Sequence, residues 1–265
     1  MRKTALITGG SSGLGLAMAK NLQARGYELV LLARDAGKLA RAQAELQAAD
    51  PSSSVHTYAC DVADEDALTR TFDQIKRHCD SIDFLVLGAG SVTIELFVEY
   101  KDLRTITDNV KANLLGAMST VYLSAPLLVP GSHILFVSSG FGLVGPAGYS
   151  VYATAKAGMN IFADALRREM LGRDVAVHVT CPGDIDTPML EHELRSMPSW
   201  LKQTGRAKPM SAQRAAAYIL KMCFKGKYMI TPSSDVDLLV LVQKLLPRVV
   251  SMYLIDRVLP LPPSR

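Results

Sequence analysis

Residues 8–15 read Thr8-Gly9-Gly10-Ser11-Ser12-Gly13-Leu14-Gly15. This stretch follows an apolar segment typical of a strand, Lys3–Thr8, and opens a segment with helical spacing, Gly13–Arg25. Glycines at such a junction let backbone N–H groups approach a diphosphate closely, and the helix offers the anion its positive N-terminal end. The strand before and the helix after make the pattern more specific than a glycine-rich turn alone. We therefore predict a dinucleotide-binding turn formed by Gly9, Ser11, Ser12, Gly13, Leu14 and Gly15.

Strand and helix patterns alternate along the chain after this turn. Apolar runs predict strands at Tyr27–Leu32, Val55–Cys60, Phe84–Leu87, Ile134–Val137, Val175–Thr180 and Tyr228–Ile230. Composition and spacing predict helices at Ala36–Ala49, Glu65–His78, about 100–129, Tyr149–Leu171 and Ser211–Phe224. Such alternation implies a parallel sheet covered by helices on both faces, and right-handed crossovers make it doubly wound. The prediction is an α/β, Rossmann-like single domain over residues 1–232.

The segment between residues 187 and 210 departs from this alternation. It is rich in proline and carries no clear periodicity, so we predict an irregular lid over a binding site. Four of its apolar residues form a candidate pocket wall, with packing of the lid as the alternative, and one histidine is a candidate to face the substrate. These residues are Met189, Leu190, Met197, Trp200 and His192.

Residues 233–265 form an apolar C-terminal extension. Leu238, Val242, Leu245 and Val249 recur at helical spacing, and Pro247 is expected to kink the helix or to begin a second one. Charged residues interrupt the extension, so it holds no run of about 20 apolar residues that could span a membrane. The stripe either packs on the body or a second subunit, or it lies on a membrane and borders a lipid-sized pocket.

Composition excludes several classes of protein. The chain of 265 residues carries 29 Lys and Arg against 25 Asp and Glu, and this net charge of +4 is scattered rather than gathered into a stripe. A nucleic-acid partner is therefore not expected. The four cysteines lack the spacing of a zinc site, so we expect no metal and predict buried reduced thiols, as in a cytoplasmic protein.

Tyr152 and Lys156 form a candidate catalytic pair. At positions i and i+4 of a helix, the two side chains share a face. An ammonium group beside a phenol favours the phenolate, so Lys156 is expected to lower the pKa of Tyr152 toward neutrality, where the phenol can transfer a proton. A Tyr-x-x-x-Lys pair alone is common by chance, and its specificity comes from the residues around it.

Together, the glycine-rich turn and the Tyr-x-x-x-Lys pair resemble the short-chain dehydrogenase/reductase family. The resemblance covers about residues 1–230 and implies that Ser139, thirteen residues before Tyr152, stabilises the carbonyl oxygen of the substrate. It also implies that Tyr152 donates the proton, that Lys156 holds the nicotinamide ribose, and that Asn113 binds a proton-relaying water. The family's cofactor contacts fall on Asp61, Val62, Ala89, Gly90, Pro182, Gly183, Ile185 and Thr187. One departure is Leu87-Gly88-Ala89-Gly90, where the family has an asparagine in place of Leu87.

The residues after the second strand predict which nicotinamide cofactor is used. An acidic residue there accepts from the ribose hydroxyl of NAD, whereas an arginine pairs with the additional phosphate of NADP. Arg34 holds that position, and Lys38 is placed to assist. Asp35 is the competing residue, but it lies one position late and is expected to cap the next helix. We therefore predict NADPH/NADP as the cofactor.

A narrower resemblance is to the 3-ketodihydrosphingosine reductases. It rests on Asp184-Ile185-Asp186-Thr187-Pro188, on Ala33-Arg34 with Lys38-Leu39, and on the apolar C-terminal region. It implies NADPH-dependent reduction of a long-chain lipid ketone. Two alternatives remain open, a reductase of another apolar ketone (steroid, retinoid or acyl chain) and a non-catalytic NADP-sensing protein. By analogy with the family, we expect a homodimer or homotetramer, and we expect any membrane contact to be peripheral, through the lid and the C-terminal helices.

Overall fold

The structure is a computed structural model that describes residues 2–202 and 208–262. In this part of the chain, seven parallel strands form one sheet in the order β3-β2-β1-β4-β5-β6-β9. Those strands are β1 (Thr4–Thr8), β2 (Glu28–Ala33), β3 (Val55–Ala59), β4 (Ile82–Leu87), β5 (Leu128–Val137), β6 (Ala176–Thr180) and β9 (Met229–Ile230). A separate two-stranded pair joins β7 (Ile185–Asp186) to β8 (Met210–Ser211). The predicted doubly wound parallel sheet is confirmed.

Helices cover both faces of the sheet. The α-helices are α1 (Gly13–Gln23), α2 (Ala36–Ala49), α3 (Glu65–Ile75), α4 (Leu103–Val110), α5 (Gly116–Ser124), α6 (Ser150–Glu169), α7 (Pro188–Ser196), α8 (Ala212–Cys223), α9 (Ser234–Leu245) and α10 (Arg248–Val258). Successive residues of a strand point to opposite faces. Leu6 accordingly packs in one core cluster with α3, α5 and α6, and Ile7 packs in the other with α1, α2 and α8. Burial on both faces explains why these strands are continuously apolar in sequence.

The predicted helix over about 100–129 is wrong in its extent. It is divided into α4, a π-helical turn at Lys111–Leu115 and α5, and the chain then enters β5 at Leu128. Near the start of β5, its register against β4 shifts between the partners of Ile82 and Phe84. Apolar residues in this region fit a buried helix and a buried strand equally well, so periodicity alone did not separate them.

The lid is more regular than predicted. Pro188–Ser196 forms α7, which begins with the side chain of Thr187 accepting a hydrogen bond from the Leu190 N–H at 3.3 Å. A threonine followed by proline is a helix start signal, since proline suits the first helical position. A short 3-10 turn follows at Ser199–Leu201. Residues 203–207, including the predicted lid residue Gly205, lie outside the described residues.

The C-terminal extension forms two helices. Pro247 precedes α10, as the sequence predicted. Near its start, α9 is anchored on the body by Val236, which is buried against the core. Farther along, Gln243 donates a hydrogen bond to the Leu143 carbonyl at 3.0 Å. Large apolar side chains of both helices remain exposed, including those of Leu238, Leu241, Leu245, Val249, Tyr253 and Val258. Within the described residues, no helix is long and apolar enough to span a membrane.

Candidate active site

The glycine-rich turn connects β1 to α1 and has room only for glycine at two positions. Gly9 has a φ of +72°, and a Cβ there would lie 2.7 Å from the Gly88 carbonyl oxygen. A Cβ on Gly15 would lie 2.2 Å from the Gly9 carbonyl oxygen. Ser12 precedes α1 without capping it through its side chain, which leaves N–H groups of the first helical turn available to an anion. The turn fits a diphosphate.

Asp35 takes the capping role that the sequence predicted, and Arg34 beside it stays exposed. Asp35 caps α2 by accepting a hydrogen bond from the Lys38 N–H at 2.9 Å, and this bond lowers the pKa of the carboxyl group. Arg34 lies 3.9 Å from the Asp61 carboxylate (Nη1 to Oδ2) with most of its side chain exposed. Arg34, Lys38 and Asp61 line the same cleft as the glycine-rich turn. A guanidinium is thus available at the position where the second phosphate of NADP would lie.

The four predicted catalytic side chains line that cleft beyond the turn: Asn113, Ser139, Tyr152 and Lys156. Tyr152 and Lys156 lie one turn apart on α6, with the Lys156 Nζ 5.7 Å from the centroid of the Tyr152 ring. The same Nζ donates a hydrogen bond to the Val137 carbonyl at 2.9 Å, which ties α6 to the end of β5. Ser139 follows β5, and its Oγ accepts from the Phe141 N–H at 3.1 Å. The neighbouring Ser138 is buried and donates to the Lys156 carbonyl at 3.3 Å, a structural contact.

Burial determines the protonation of the Tyr152–Lys156 pair. It raises the pKa of Tyr152 to about 12, against a smaller opposing effect of a hydrogen bond with Ser139, and the charge of Glu193 adds to the rise. Burial lowers the pKa of Lys156 to about 8. The expected lowering of the Tyr152 pKa is therefore not found in the ligand-free protein, because removal of the phenol from water raises that pKa. Tyr152 carries its proton at neutral pH, as a proton donor must.

Asn113 lies in the π-helical turn between α4 and α5. Its Nδ2 donates to the carbonyl oxygens of Ser91 at 2.7 Å and Asn109 at 2.9 Å. Its Oδ1 is buried without a hydrogen-bond partner in the described part of the chain. A Cβ on Gly90 would lie 2.5 Å from this Oδ1 and 3.6 Å from the Lys156 Nζ, so the acceptor and the ammonium flank the same glycine. The hydrogen bonds of Nδ2 fix the amide group of Asn113, and its Oδ1 is the acceptor near Lys156.

Thr8 takes over the hydrogen bonding that the missing asparagine would be expected to provide near Leu87. Its Oγ1 accepts from the N–H groups of Gly88 at 3.1 Å and Ala89 at 3.2 Å and donates to the Val86 carbonyl at 3.3 Å. One hydroxyl thereby uses its donor and both acceptor positions. The strand end carrying Ala89 and Gly90 is held in the cleft wall without an asparagine.

The segment after β6 closes the cleft on the side of the lid. The Gly183 N–H donates to Ser233 Oγ at 3.1 Å, and a Cβ on Gly183 would lie 2.9 Å from that oxygen. Thr187 donates to the Ile185 carbonyl at 3.2 Å while it caps α7. Pro182, Gly183, Ile185 and Thr187 all line the cleft, as do Val62, Ala89 and Gly90. The predicted cofactor residues are thus brought together, and the glycines and Arg34 fit a nicotinamide dinucleotide phosphate.

The predicted substrate residues are only partly brought together. Met189 and Leu190 line the cleft, whereas His192 is exposed on the outer side of α7 and does not line it. Trp200 packs behind the cleft wall in a cluster with Tyr149, Tyr152 and Met197. The cleft has a volume of about 1120 Å³.

Several residues that line the cleft were missed by the sequence analysis. Tyr149 and Glu193 are the polar ones, and the Tyr149 hydroxyl donates to Glu193 Oε1 at 2.6 Å. The others are apolar residues of the lid and the C-terminal helices: Leu201, Leu239, Leu254, Ile255 and Val258. Met197 of the lid, and Leu238 and Val242 of the helical stripe, also line the cleft and were candidates from the sequence. The sequence held no signal for Glu193, whose orientation depends on the helical phase of α7.

Comparison with protein families assigns the chain to a class of enzyme. Residues 3–197 match the family described as short chain dehydrogenase. A human 3-oxoacyl-[acyl-carrier-protein] reductase is 32% identical over 205 residues, covering 75% of this chain and 84% of the relative. The chain therefore belongs to the short-chain dehydrogenase/reductase family of oxidoreductases.

Reductases of sphingoid ketones are similar to the same degree. A 3-ketodihydrosphingosine reductase of Cryptococcus neoformans is 33% identical over 240 residues, covering 86% of this chain and 70% of the relative. A 3-dehydrosphinganine reductase of Arabidopsis thaliana is 32% identical over 226 residues, covering 83% of this chain and 65% of the relative. Identity alone does not separate the two substrate classes.

Solved structures of the family share the fold. A short-chain dehydrogenase/reductase from Burkholderia phymatum in complex with NAD superposes with a TM-score of 0.82 at 21% identity, covering 100% of this chain and 98% of that one. A short-chain dehydrogenase from Sphingobium yanoikuyae in complex with NADPH gives a TM-score of 0.76 at 22% identity, with 87% of each chain covered. The Burkholderia match includes the C-terminal extension.

Proposed function

We propose that this enzyme uses NADPH to reduce a long-chain lipid ketone to a secondary alcohol, specifically 3-ketodihydrosphingosine to dihydrosphingosine. The observation that carries the proposal is the apolar extension of the cleft. Met189 and Leu190 of the lid, and Leu238 and Leu254 on α9 and α10, line the same cleft as Ser139 and Tyr152. A long alkyl chain placed there removes apolar surface from water, which favours binding by about 25 cal/mol per Å².

The side chains around the reacting carbonyl have separate roles in the reduction. When bound, NADPH supplies the hydride to the carbonyl carbon. Ser139 Oγ hydrogen-bonds the carbonyl oxygen and stabilises its growing negative charge. Tyr152 donates its proton to that oxygen as the general acid. Lys156 holds the nicotinamide ribose and favours the phenolate that remains on Tyr152, and Asn113 presents the acceptor of a path for protons to Lys156.

The preference for NADPH over NADH rests on Arg34. Its guanidinium is exposed at the end of β2, while the neighbouring carboxylate of Asp35 is engaged in capping α2. Arginine recognises phosphate through paired, charge-assisted hydrogen bonds, and Lys38 adds a second positive charge in the same part of the cleft.

We also propose peripheral contact with the cytoplasmic face of a membrane through α9 and α10. The apolar residues Leu245 and Val249 are 71% and 80% exposed and lie beside the basic residues Lys244 and Arg248. Apolar side chains flanked by basic ones favour the interface of an anionic lipid bilayer. Leu238 and Val258 are exposed and also line the cleft, so a lipid could pass from the bilayer into the site.

A homodimer or homotetramer is proposed through the outer faces of α5 and α6. Tyr122 on α5 is 78% exposed and Ile161 on α6 is 72% exposed. Exposed apolar side chains of this size on neighbouring helices are typical of subunit interfaces. Light scattering of the purified protein would give twice or four times the mass of the chain, and a monomer would contradict the proposal.

The second candidate function is reduction of a 3-oxoacyl thioester, favoured by the human relative described above. The purified enzyme with NADPH should be given 3-ketodihydrosphingosine, an acetoacetyl thioester and short polar ketones in parallel. The proposal expects the highest kcat/KM for the sphingoid ketone. A higher value for the thioester would favour the second candidate. Tight NADPH binding without turnover of any ketone would indicate a non-catalytic NADP-sensing protein.

A further inference from the structure

Ser233 joins the start of the C-terminal extension to the part of the cleft where the reacting groups meet. Its Oγ accepts the 3.1 Å hydrogen bond from the Gly183 N–H. The carbonyl oxygen of Pro182 accepts from the Gly140 N–H at 2.8 Å, and Gly140 follows Ser139 in the chain. Residues 182 and 183 are therefore held from two sides, by the turn that carries Ser139 and by the residue before α9.

This contact with the Ser139 turn indicates which end of the cofactor Gly183 faces. The carbonyl group to be reduced lies at Ser139 and Tyr152, and hydride transfer needs the reacting atoms about 3 to 3.5 Å apart. The nicotinamide ring therefore has to lie beside these two side chains, whereas the second phosphate of the adenosine half is expected at Arg34. Gly183 lines the cleft at the nicotinamide end.

Little space separates this end of the cleft from α9. A Cβ on Gly183 would lie 2.9 Å from Ser233 Oγ and 3.1 Å from Asp235 Oδ2. The same helix covers Gly140, because a Cβ there would lie 3.1 Å from Val236 Cγ2. The start of α9 is thus in close contact with both segments that face the nicotinamide.

Ser233 occupies the N-cap position of α9 without capping the helix through its side chain. A serine at this position usually accepts a hydrogen bond from an N–H of the first turn, which stabilises the helix. Other groups hold the start of α9 here, since Val236 is buried in the core and Thr231 donates to the Asp237 carboxylate. A side chain used against its local preference is expected at a functional site.

The Ser233 bond is not needed to join β6 to β9. The Cys181 N–H donates to the Ile230 carbonyl oxygen at 2.9 Å, and Thr180 Oγ1 donates to the same oxygen at 3.1 Å. The two strands are thus joined before the chain reaches Ser233. Loss of the Ser233 hydroxyl is therefore expected to leave the fold intact.

From these contacts we propose that Ser233 is a positioning residue, which holds the Gly183 N–H and thereby fixes the backbone against which the nicotinamide binds. The inference rests on the proposed NADPH-dependent reduction, which requires a nicotinamide beside Tyr152. Backbone that is already ordered does not have to be ordered on binding, so the cofactor binds more tightly. The extension lies outside the family match over residues 3–197, and through Ser233 it contributes to the geometry of the reaction.

The test compares NADPH with 2′-phospho-ADP-ribose, which lacks only the nicotinamide ring. Calorimetry gives the Kd of both ligands for the wild type, for Ser233→Ala and for the matched control Ser52→Ala. Ser52 carries its hydroxyl on an exposed turn outside the cleft. Because the adenosine half is common to both ligands, the ratio of the two Kd values reports the nicotinamide end alone.

Ser233→Ala should weaken the binding of NADPH about threefold to tenfold, the usual worth of one hydrogen bond, and leave the binding of 2′-phospho-ADP-ribose unchanged. The kcat should fall as well, because a less fixed ring is less often at reacting distance. Ser52→Ala should match the wild type. Equal weakening of both ligands by Ser233→Ala would show a general structural role and overturn the inference, as would unchanged binding of both.

Failure of the proposed function gives a different result. A wild type that prefers NADH would contradict the proposed cofactor, and NADH with ADP-ribose would then test Ser233 in the same way. Turnover of no ketone would contradict the proposed reduction, whereas a lowered affinity of Ser233→Ala for NADPH alone would still support the role of Ser233.

A second measurement uses the wild type and does not depend on the folding of a variant. Amide hydrogen exchange is followed over residues 228–240 in the free protein, with saturating NADPH and with saturating 2′-phospho-ADP-ribose. The inference expects NADPH alone to slow exchange at the start of α9, because this segment is linked to the nicotinamide through Gly183. Equal protection by both ligands, or protection by neither, would contradict it.

Discussion

Lys156 and Tyr152 lie one helical turn apart on α6, with the ammonium nitrogen 5.7 Å from the centre of the phenol ring. Both side chains are buried, and the Lys156 Nζ is anchored by its hydrogen bond to the Val137 carbonyl. Burial therefore raises the pKa of Tyr152, which keeps its proton. It lowers the pKa of Lys156, which loses its proton more readily. A proton donor beside a lysine that titrates close to physiological pH suits a reaction that consumes a proton at each turnover.

Substitution of Tyr152 by phenylalanine should abolish reduction while leaving cofactor binding intact. The phenol supplies the proton, and general acid catalysis contributes about 10²- to 10⁴-fold to the rate. Turnover is followed by NADPH oxidation, and binding is followed by the change in NADPH fluorescence. Turnover at the wild-type rate would refute the assignment of Tyr152 as the donor.

Loss of the Arg34 guanidinium should weaken NADPH far more than NADH. Arg34→Ala removes a charge-assisted contact to the second phosphate, so the KM for NADPH should rise by about tenfold or more. Arg41→Ala, which removes an exposed arginine from α2 outside the cleft, is the matched control. Equal effects of Arg34→Ala on both cofactors would contradict the preference for NADP.

The pH dependence of the reaction should follow Lys156. Its pKa of about 8 means that the ammonium loses its charge as the pH rises through this value, so kcat/KM for NADPH should fall above pH 8. Tyr152, whose pKa is about 12, keeps its proton throughout this range. Lys156→Arg should move the falling limb upward, because a guanidinium stays protonated. A fall at the same pH in this variant would assign the limb to another group.

The same pKa makes Lys156 a pH-dependent contributor to stability. The unfolded chain holds this proton up to a pH near 10.5, whereas the folded protein releases it near 8. The unfolded state therefore binds more protons between these values, and the contribution of Lys156 to stability rises with pH across this window. Denaturant unfolding of the wild type and of Lys156→Met at pH 7 and pH 9.5 would measure it. A difference between the two proteins that does not change with pH would contradict this linkage.

Removal of the Thr8 hydroxyl should destabilise the fold. Thr8→Val keeps the shape of the side chain but leaves the Ala89 N–H without its side-chain acceptor, while the Gly88 N–H keeps the main-chain carbonyl oxygen of residue 8. We expect a loss of about 2 kcal/mol in the free energy of unfolding, measured by denaturant titration. Thr8→Ser keeps the hydroxyl and should lose less. Equal stability of the Val and Ser variants would show that the hydroxyl is not the stabilising group.

Negative charge introduced on the exposed apolar face of the extension should reduce membrane binding. Leu245→Glu with Val249→Glu replaces two exposed apolar side chains by carboxylates and should lower co-sedimentation with vesicles of mixed phosphatidylserine and phosphatidylcholine. Leu171→Glu in the turn after α6, at a similar exposure but outside both proposed contact surfaces, is the control. Equal binding of the double variant and the wild type would show that α9 and α10 do not make the membrane contact.

The local parts of this enzyme were readable from the sequence. The turn from Gly9 to Gly15 and the pair Tyr152 and Lys156 are set by short spacings within one element, and apolar runs marked the strands that lie in the middle of the sheet. The division between α5 and β5 was not readable, because an apolar run fits either structure when both are buried.

Only the tertiary structure decided which lid residues face the cleft and which protonation states the catalytic side chains have. Once residues 188–196 are known to be a helix, Met189, Leu190 and Glu193 fall on the face toward the cleft and His192 falls on the outer face, the reverse of the sequence-based choice for the histidine. The raised pKa of Tyr152 and the lowered pKa of Lys156 likewise depend on burial by segments distant in sequence. Local spacing therefore determined the family and the candidate catalytic residues, whereas the packing of α7, α9 and α10 over them determined the shape, polarity and titration of the site.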